Sequence, residues 1–193
     1  GGTKDGLIGF ELEGKRFGVV GTGAIGSRVA AIARAFGCEV LAYSRTERPL
    51  EGVRYTDLDT QLSTCDIVSL HTPLNEQTRG LINAQRLALM KPTAGLINTA
   101  RGSIINEQDL YTHMAAGKLR FACLDVTDPE PPVRNNPLRN LHNVILLPHI
   151  AGVVNNGLAR IGRHAISELE RFQKGEPCIN EITQEIMFRV GKA

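Results

Sequence analysis

The stretch Arg16-Phe17-Gly18-Val19-Val20-Gly21-Thr22-Gly23-Ala24-Ile25-Gly26-Ser27-Arg28-Val29-Ala30 decides the fold. A short β-branched run enters a turn punctuated by Gly21, Gly23 and Gly26, and an apolar helical pattern follows at once. Each glycine has a physical task in such a turn. Gly21 permits the tight reversal, Gly23 lets the backbone approach a pyrophosphate, and Gly26 lets the helix pack close to the strand. The backbone from Gly21 through Gly23, Ala24, Ile25 and Gly26 would then present free N–H groups, at the positive end of a helix dipole, to the phosphates. A bare GxGxxG is a weak signal, and one set between a strand and a helix is much stronger.

Working outward, strand and helix signals alternate along the chain. Strands are expected at 16–21, 39–43, 66–70, 94–98, 120–126 and 143–147. Several are nearly continuous apolar runs, as parallel strands covered on both faces require. Helices are expected at Ala24–Phe36, ended by Gly37, at Ala84–Met90, between Asn83 and Pro92, and at Glu107–Ala116, between Asn106 and Gly117. A short helix at Asp57–Ser63, capped by Asp57, and a long one from Val153 to Lys174 complete the set. Asp109 fits the first turn of its helix, opposite the Asn106 cap. The prolines of Asp128-Pro129-Glu130-Pro131-Pro132 force an extended loop. Six strands with crossover helices predict an α/β fold: a doubly wound parallel sheet in three αβα layers, the Rossmann architecture of dinucleotide-binding domains.

Bulk properties exclude several function classes. A chain of 193 residues with net charge +2 can bury a core and shows no basic cluster. With no tryptophan and few aromatics, a nucleic-acid partner is not expected. No apolar run reaches the length of a bilayer span, so no membrane partner is expected. Cys38, Cys65, Cys123 and Cys178 are scattered without CxxC spacing and read as buried thiols of a cytoplasmic protein, with no disulfide framework and no metal site.

The end of the second strand bears on cofactor choice. NAD binders place an acidic residue about twenty positions past the glycines, on the ribose hydroxyls. Here that place reads Ala42-Tyr43-Ser44-Arg45-Thr46. Ser44 stands where the acid would be. A missing carboxylate removes repulsion against a 2′-phosphate, and Arg45, with the hydroxyls of Ser44 and Thr46, would bind one. NADP(H) is therefore favoured, with NAD(H) the alternative if Arg45 and Arg48 are only solvated loop charges.

Three further motifs follow in order, each at a strand end: Ile97-Asn98-Thr99-Ala100-Arg101-Gly102, then Leu124-Asp125-Val126 running into Pro129-Glu130-Pro131, then Leu147-Pro148-His149-Ile150-Ala151-Gly152. With the glycine turn they closely resemble the D-isomer-specific 2-hydroxyacid dehydrogenases, from about Leu7 to Asn180. That family includes glyoxylate and hydroxypyruvate reductases, D-lactate dehydrogenase, 3-phosphoglycerate dehydrogenase and formate dehydrogenase.

The resemblance assigns roles by position. Arg101 would orient and polarise a 2-oxo or 2-hydroxy acid substrate, His149 would exchange the proton, and Glu130 would be its carboxylate partner. Asp125 would contact the nicotinamide carboxamide, with Thr99, Ala100 and Gly152 nearby. His71-Thr72-Pro73 and Thr78 would line the adenine side. The chemistry fits these residue types. A fixed cation stabilises charge developing on a carbonyl oxygen, and a carboxylate neighbour fixes an imidazole's tautomer. Plainer readings compete: Arg101 paired with Glu107, Asp125 capping a turn, Glu130 a rigid exposed loop charge, His149 a capping or core histidine. His113, His142 and His164 read as surface histidines without a role.

Some positions depart from the family pattern: Thr127 for an aromatic, Pro132 for a leucine, and Val153-Val154-Asn155-Asn156 for a Thr/Glu-containing helix start. Residues 1–177 are expected to form the dinucleotide-binding domain, and 178–193 a tail returning toward a substrate-binding domain missing from this chain, so that a longer enzyme, with a homodimer contact on this domain, is implied. Two other functions are to be weighed. One is a dinucleotide-sensing corepressor of the same fold, and the other a 3-phosphoglycerate dehydrogenase.

Overall fold

The computed structural model describes residues 9–152, 156–184 and 186–187. Its elements run β1 (Arg16–Val20), α1 (Ala24–Ala35), β2 (Glu39–Tyr43), β3 (Val53–Tyr55), α2 (Leu58–Thr64), β4 (Ile67–Leu70), α3 (Ala84–Leu87), β5 (Gly95–Asn98), α4 (Glu107–Ala115), β6 (Phe121–Leu124), β7 (Val144–Leu146) and α5 (Asn156–Gln173). The strands form one seven-stranded sheet in the order β3-β2-β1-β4-β5-β6-β7, parallel throughout. The expected doubly wound parallel sheet is thus present, with one strand more than the six predicted.

Side chains alternate across the sheet, so neighbours in sequence enter different cores. Val19 and Val40 pack with Ala30 and Ala33 of α1. Val20, Leu41, Val68 and Leu70 join the larger cluster with Leu62, Leu87, Leu110 and Met114 from α2, α3 and α4. Helix starts follow the cap chemistry read from sequence. Asp57 accepts from Thr60 N–H at 2.8 Å, Asn83 from Arg86 N–H at 3.1 Å and Asn106 from Asp109 N–H at 3.1 Å. Asp109 in turn accepts Ala84 N–H at 2.9 Å, tying α4 to α3.

The differences from expectation are at ends and edges. α3 closes at Leu87 because Leu89 and Met90 bond back three residues, to Arg86 and Leu87, which tightens the turn out of α-helix. The strands at 66–70, 94–98, 120–126 and 143–147 are each trimmed by a residue or more. The start of the last helix, at Val153–Asn155, lies outside the described residues. None of the described helices is long and apolar enough to cross a membrane.

Candidate active site

Strand order reverses between β1 and β4, and ligands of open α/β sheets bind at the carboxyl ends beside such a reversal. Here the backbone locks the ends of β4 and β2 to the end of β1. His71 N–H donates to Val20 O and Gly21 N–H to Tyr43 O, both at 2.7 Å. Gly21 has φ +94°, and a Cβ there would meet the His71 and Thr72 backbone at 2.9 Å. A Cβ on Gly26 would fall 1.9 Å from Gly21 O, so the helix reaches the turn only without one. Gly23 is the N-cap of α1 and has no side chain to satisfy the first N–H groups, and a Cβ there would meet nothing within 4 Å. The turn therefore leaves an open cradle of backbone donors, as a pyrophosphate needs.

A cleft of about 330 Å³ opens from this cradle, lined by Gly21–Gly23, Tyr43–Thr46, Arg48, His71–Pro73, Asn75, Gln77, Thr78 and Leu81. It gathers Gly21, Gly23, Ser44, Arg45, Thr46, His71, Thr72, Pro73 and Thr78, all expected on the cofactor. Thr22, Arg48, Asn75 and Gln77 are additional. Thr22 lies inside the glycine signature, which is the signal that could have named it. Among the described residues, neither Arg45 nor Arg48 pairs with a carboxylate. Among the described residues the buried hydroxyl of Thr72, which lines the cleft, has no hydrogen-bond partner. Burial lowers the pKa of His71, whose Nε2 lies 2.9 Å from Ser69 Oγ, so the ring is neutral near pH 7. Donors, an unpaired cation pair and an orphan hydroxyl fit a dinucleotide's adenosine and phosphates.

The expected acid–base residues lie along the same edge, after β5, β6 and β7. Asn98, Leu124 and Leu146 are register partners across these strands, so the segments that follow start side by side. Thr99, Ala100 and Arg101 follow β5. Asn98 shapes their turn by accepting Ala100 N–H at 3.0 Å and donating to Arg101 O at 2.9 Å. Arg101 is exposed and donates to Ala100 O at 2.6 Å. It does not pair with Glu107, whose carboxylate accepts Asp128 N–H at 3.2 Å and Asn136 Nδ2 at 2.5 Å. Those bonds anchor the proline loop that carries Glu130. Asp128 adds a bond from Ser103 Oγ at 2.5 Å, and a Cβ on Gly102 would fall 2.0 Å from Thr127 O.

His149 and Glu130 meet: the imidazole Nδ1 is hydrogen-bonded to Glu130 Oε1, with both side chains partly exposed. His149 is the one non-glycine residue with positive φ among the described residues, at +54°. A histidine there costs energy and persists only where its surroundings over-determine it. Asp125 does so. It is 3% exposed, its backbone oxygen accepts His149 N–H at 3.0 Å, and its carboxylate accepts Ile150 and Ala151 N–H at 2.8 Å each. The Asp125 carboxylate thus holds the turn after His149, 25 residues on, rather than the turn that follows its own strand. Gly152 follows this turn and is exposed. His113 bonds to Lys118 O, and His164 to Asn180. A second hollow of about 420 Å³, at the opposite edge between α4 and the starts of β6 and β7, contains none of the candidate site residues.

Residues 2–151 match the model of the D-isomer specific 2-hydroxyacid dehydrogenase NAD-binding domain. The chain belongs to this family. It is 40% identical to a hydroxypyruvate reductase of Blautia hydrogenotrophica over 87% of this chain and 53% of that protein. A glyoxylate reductase of Aeropyrum pernix is 39% identical over 94% of this chain and 55% of its own length. Among solved structures, the NAD-complexed D-isomer specific 2-hydroxyacid dehydrogenase of Lactobacillus delbrueckii ssp. bulgaricus superposes with TM-score 0.85 at 32% identity, over 93% of this chain and 59% of that one. A family member from Xanthobacter autotrophicus Py2, in complex with NADPH and MES, gives TM-score 0.82 at 32% identity, over 93% and 77%. The chain spans about half the length of the curated relatives it matches.

Proposed function

We propose that this domain is the cofactor-binding and acid–base half of a reductase acting on a small 2-oxo acid such as glyoxylate or hydroxypyruvate. The observation that carries the reading is His149, held at positive φ with Nδ1 on Glu130, at the sheet edge that also carries the glycine turn. A bound nicotinamide dinucleotide would supply the hydride that adds to the carbonyl carbon. Glu130 would keep the Nδ1 proton in place and leave Nε2 to give its proton to the carbonyl oxygen as the C=O electron pair moves onto it. In the oxidative direction the same nitrogen takes the proton back. Arg101 would pair with the substrate carboxylate and lower the cost of charge on the oxygen.

NADPH is the preferred cofactor in this reading. Its support is Ser44 in place of an acid and two unpaired arginines, Arg45 and Arg48, in the cleft. The parent enzyme is read as a cytoplasmic homodimer, in keeping with four free cysteines, of which Cys38 and Cys65 are buried as expected and Cys123 and Cys178 only half-buried, and with the apolar residues Leu158, Ile161, Leu169 and Phe172 exposed along α5.

The test is absorbance-monitored NADPH oxidation by the full-length parent with glyoxylate and with hydroxypyruvate. Turnover on either supports the reductase. Tight NADPH binding with no turnover on any 2-oxo acid would transfer the assignment to a dinucleotide-sensing binding protein of the same fold.

A further inference from the structure

We propose that Tyr55 is a positioning residue for cofactor choice: its phenol ties the loop bearing Arg45 and Arg48 to Thr22 of the glycine turn. Tyr55 closes β3 and is half-buried. Its hydroxyl donates to Arg48 O at 2.8 Å and accepts Arg48 N–H at 3.3 Å. With the phenolic proton used on Arg48, the Thr22 hydroxyl, 3.0 Å away and buried, is the donor of the third bond.

These bonds matter because of what the loop lacks. Residues 44–48 belong to no helix or strand. Among the described residues their backbone is hydrogen-bonded only through Arg48 to this phenol. A cationic loop with a single anchor takes its position from that anchor. The same oxygen holds Thr22, which stands in the turn that cradles the pyrophosphate. Tyr55 therefore fixes the distance between the donors for the pyrophosphate and the cations for a phosphate on the adenosine ribose. The pyrophosphate and the 2′-phosphate of one ligand are joined through a single ribose, which confines their separation to a narrow range, so this registration favours the 2′-phosphorylated dinucleotide. A dinucleotide without the 2′-phosphate does not draw on the loop cations and loses less when the loop loosens. This inference rests on the reading that Arg45 receives the 2′-phosphate.

The test is calorimetric titration of the chain and its Tyr55→Phe, Arg45→Ala and doubly substituted forms with NADPH and NADH. Phenylalanine keeps the ring and removes all three bonds. It is expected to weaken NADPH binding about three- to tenfold, to lower the NADPH/NADH affinity ratio by most of that factor, and to cost nothing further once Arg45 is alanine. Thr22→Val, which cuts one leg of the clamp, should lower the ratio in the same direction. Equal losses for both cofactors, or an undiminished effect in the Arg45→Ala background, would overturn the proposal by making Tyr55 a general support. If Arg45→Ala collapses the ratio and Tyr55→Phe leaves it unchanged, the clamp is wrong and the phosphate reading stands. If Arg45→Ala leaves the ratio untouched, the phosphate reading fails and the clamp fails with it.

Discussion

Replacing Asp125 by asparagine should dismantle the turn that presents His149. The wild-type carboxylate accepts two backbone N–H groups at 2.8 Å, from Ile150 and Ala151, while 3% exposed. Hydrogen bonds to a charged acceptor contribute about 1.5–3 kcal/mol each, so the pair holds about 3–6 kcal/mol. Asparagine keeps one acceptor, now neutral and contributing about 1 kcal/mol, and turns an NH2 donor toward the second N–H. The expected loss is about 2–5 kcal/mol. It falls on a turn where His149 already sits at φ +54°, a conformation costing of order 1–3 kcal/mol. Urea unfolding of the two chains reads the loss as a lower midpoint at similar slope. Imidazole NMR shifts report whether His149 Nδ1 still contacts Glu130. A stability change below about 0.5 kcal/mol, the level of an ordinary surface substitution, with the His149 resonances unmoved, would refute the idea that Asp125 holds this turn.

Three further outcomes follow from the same geometry. Gly26→Ala places a methyl group 1.9 Å from Gly21 O; the turn must open, at about 1–3 kcal/mol, and calorimetry should find NADPH affinity reduced at least about tenfold. Glu107→Ala frees Asp128 N–H and Asn136; chemical denaturation should show a loss of about 1–3 kcal/mol, and the parent's kcat should fall more than its KM rises as the Glu130 loop loosens. Burial of Asp66 opposes its ionisation, but Lys91 at 2.9 Å and Arg16 N–H outweigh it and lower its pKa. A lowered carboxylate pKa contributes stability that is present above the unfolded value of about 3.9 and is lost as pH falls through the folded one; Lys91→Met should therefore destabilise at pH 7, by a difference that shrinks as acid protonates Asp66, in unfolding measured from neutral to acid pH.

Much of this architecture is legible in the sequence. The strand–glycine turn–helix pattern predicts the sheet and its switch point because each glycine answers a steric need, and the Gly26 contact with Gly21 O is that need in numbers. Asn83, Asn106 and Asp57 cap where their side chains dictate. β3 carries no strand signal, because Val53-Arg54-Tyr55 is too short for a period of two to register, and Gly52 and Pro49 read as loop. Asp125 and Glu107 show why site residues are harder. Their roles depend on which backbone N–H groups tertiary structure brings to them, 25 and 26 residues away for Asp125 and 21 for Glu107. The positive φ of His149 is likewise invisible to local propensity, since a histidine is placed there by its neighbours against its own preference.

Proton delivery by His149 is the step on which the proposed reaction depends. In the full-length parent, the single-turnover rate of NADPH oxidation by a 2-oxo acid should fall about 10²- to 10⁴-fold on His149→Gln, while NADPH affinity stays within about twofold. A His149→Gln rate within tenfold of wild type would contradict it.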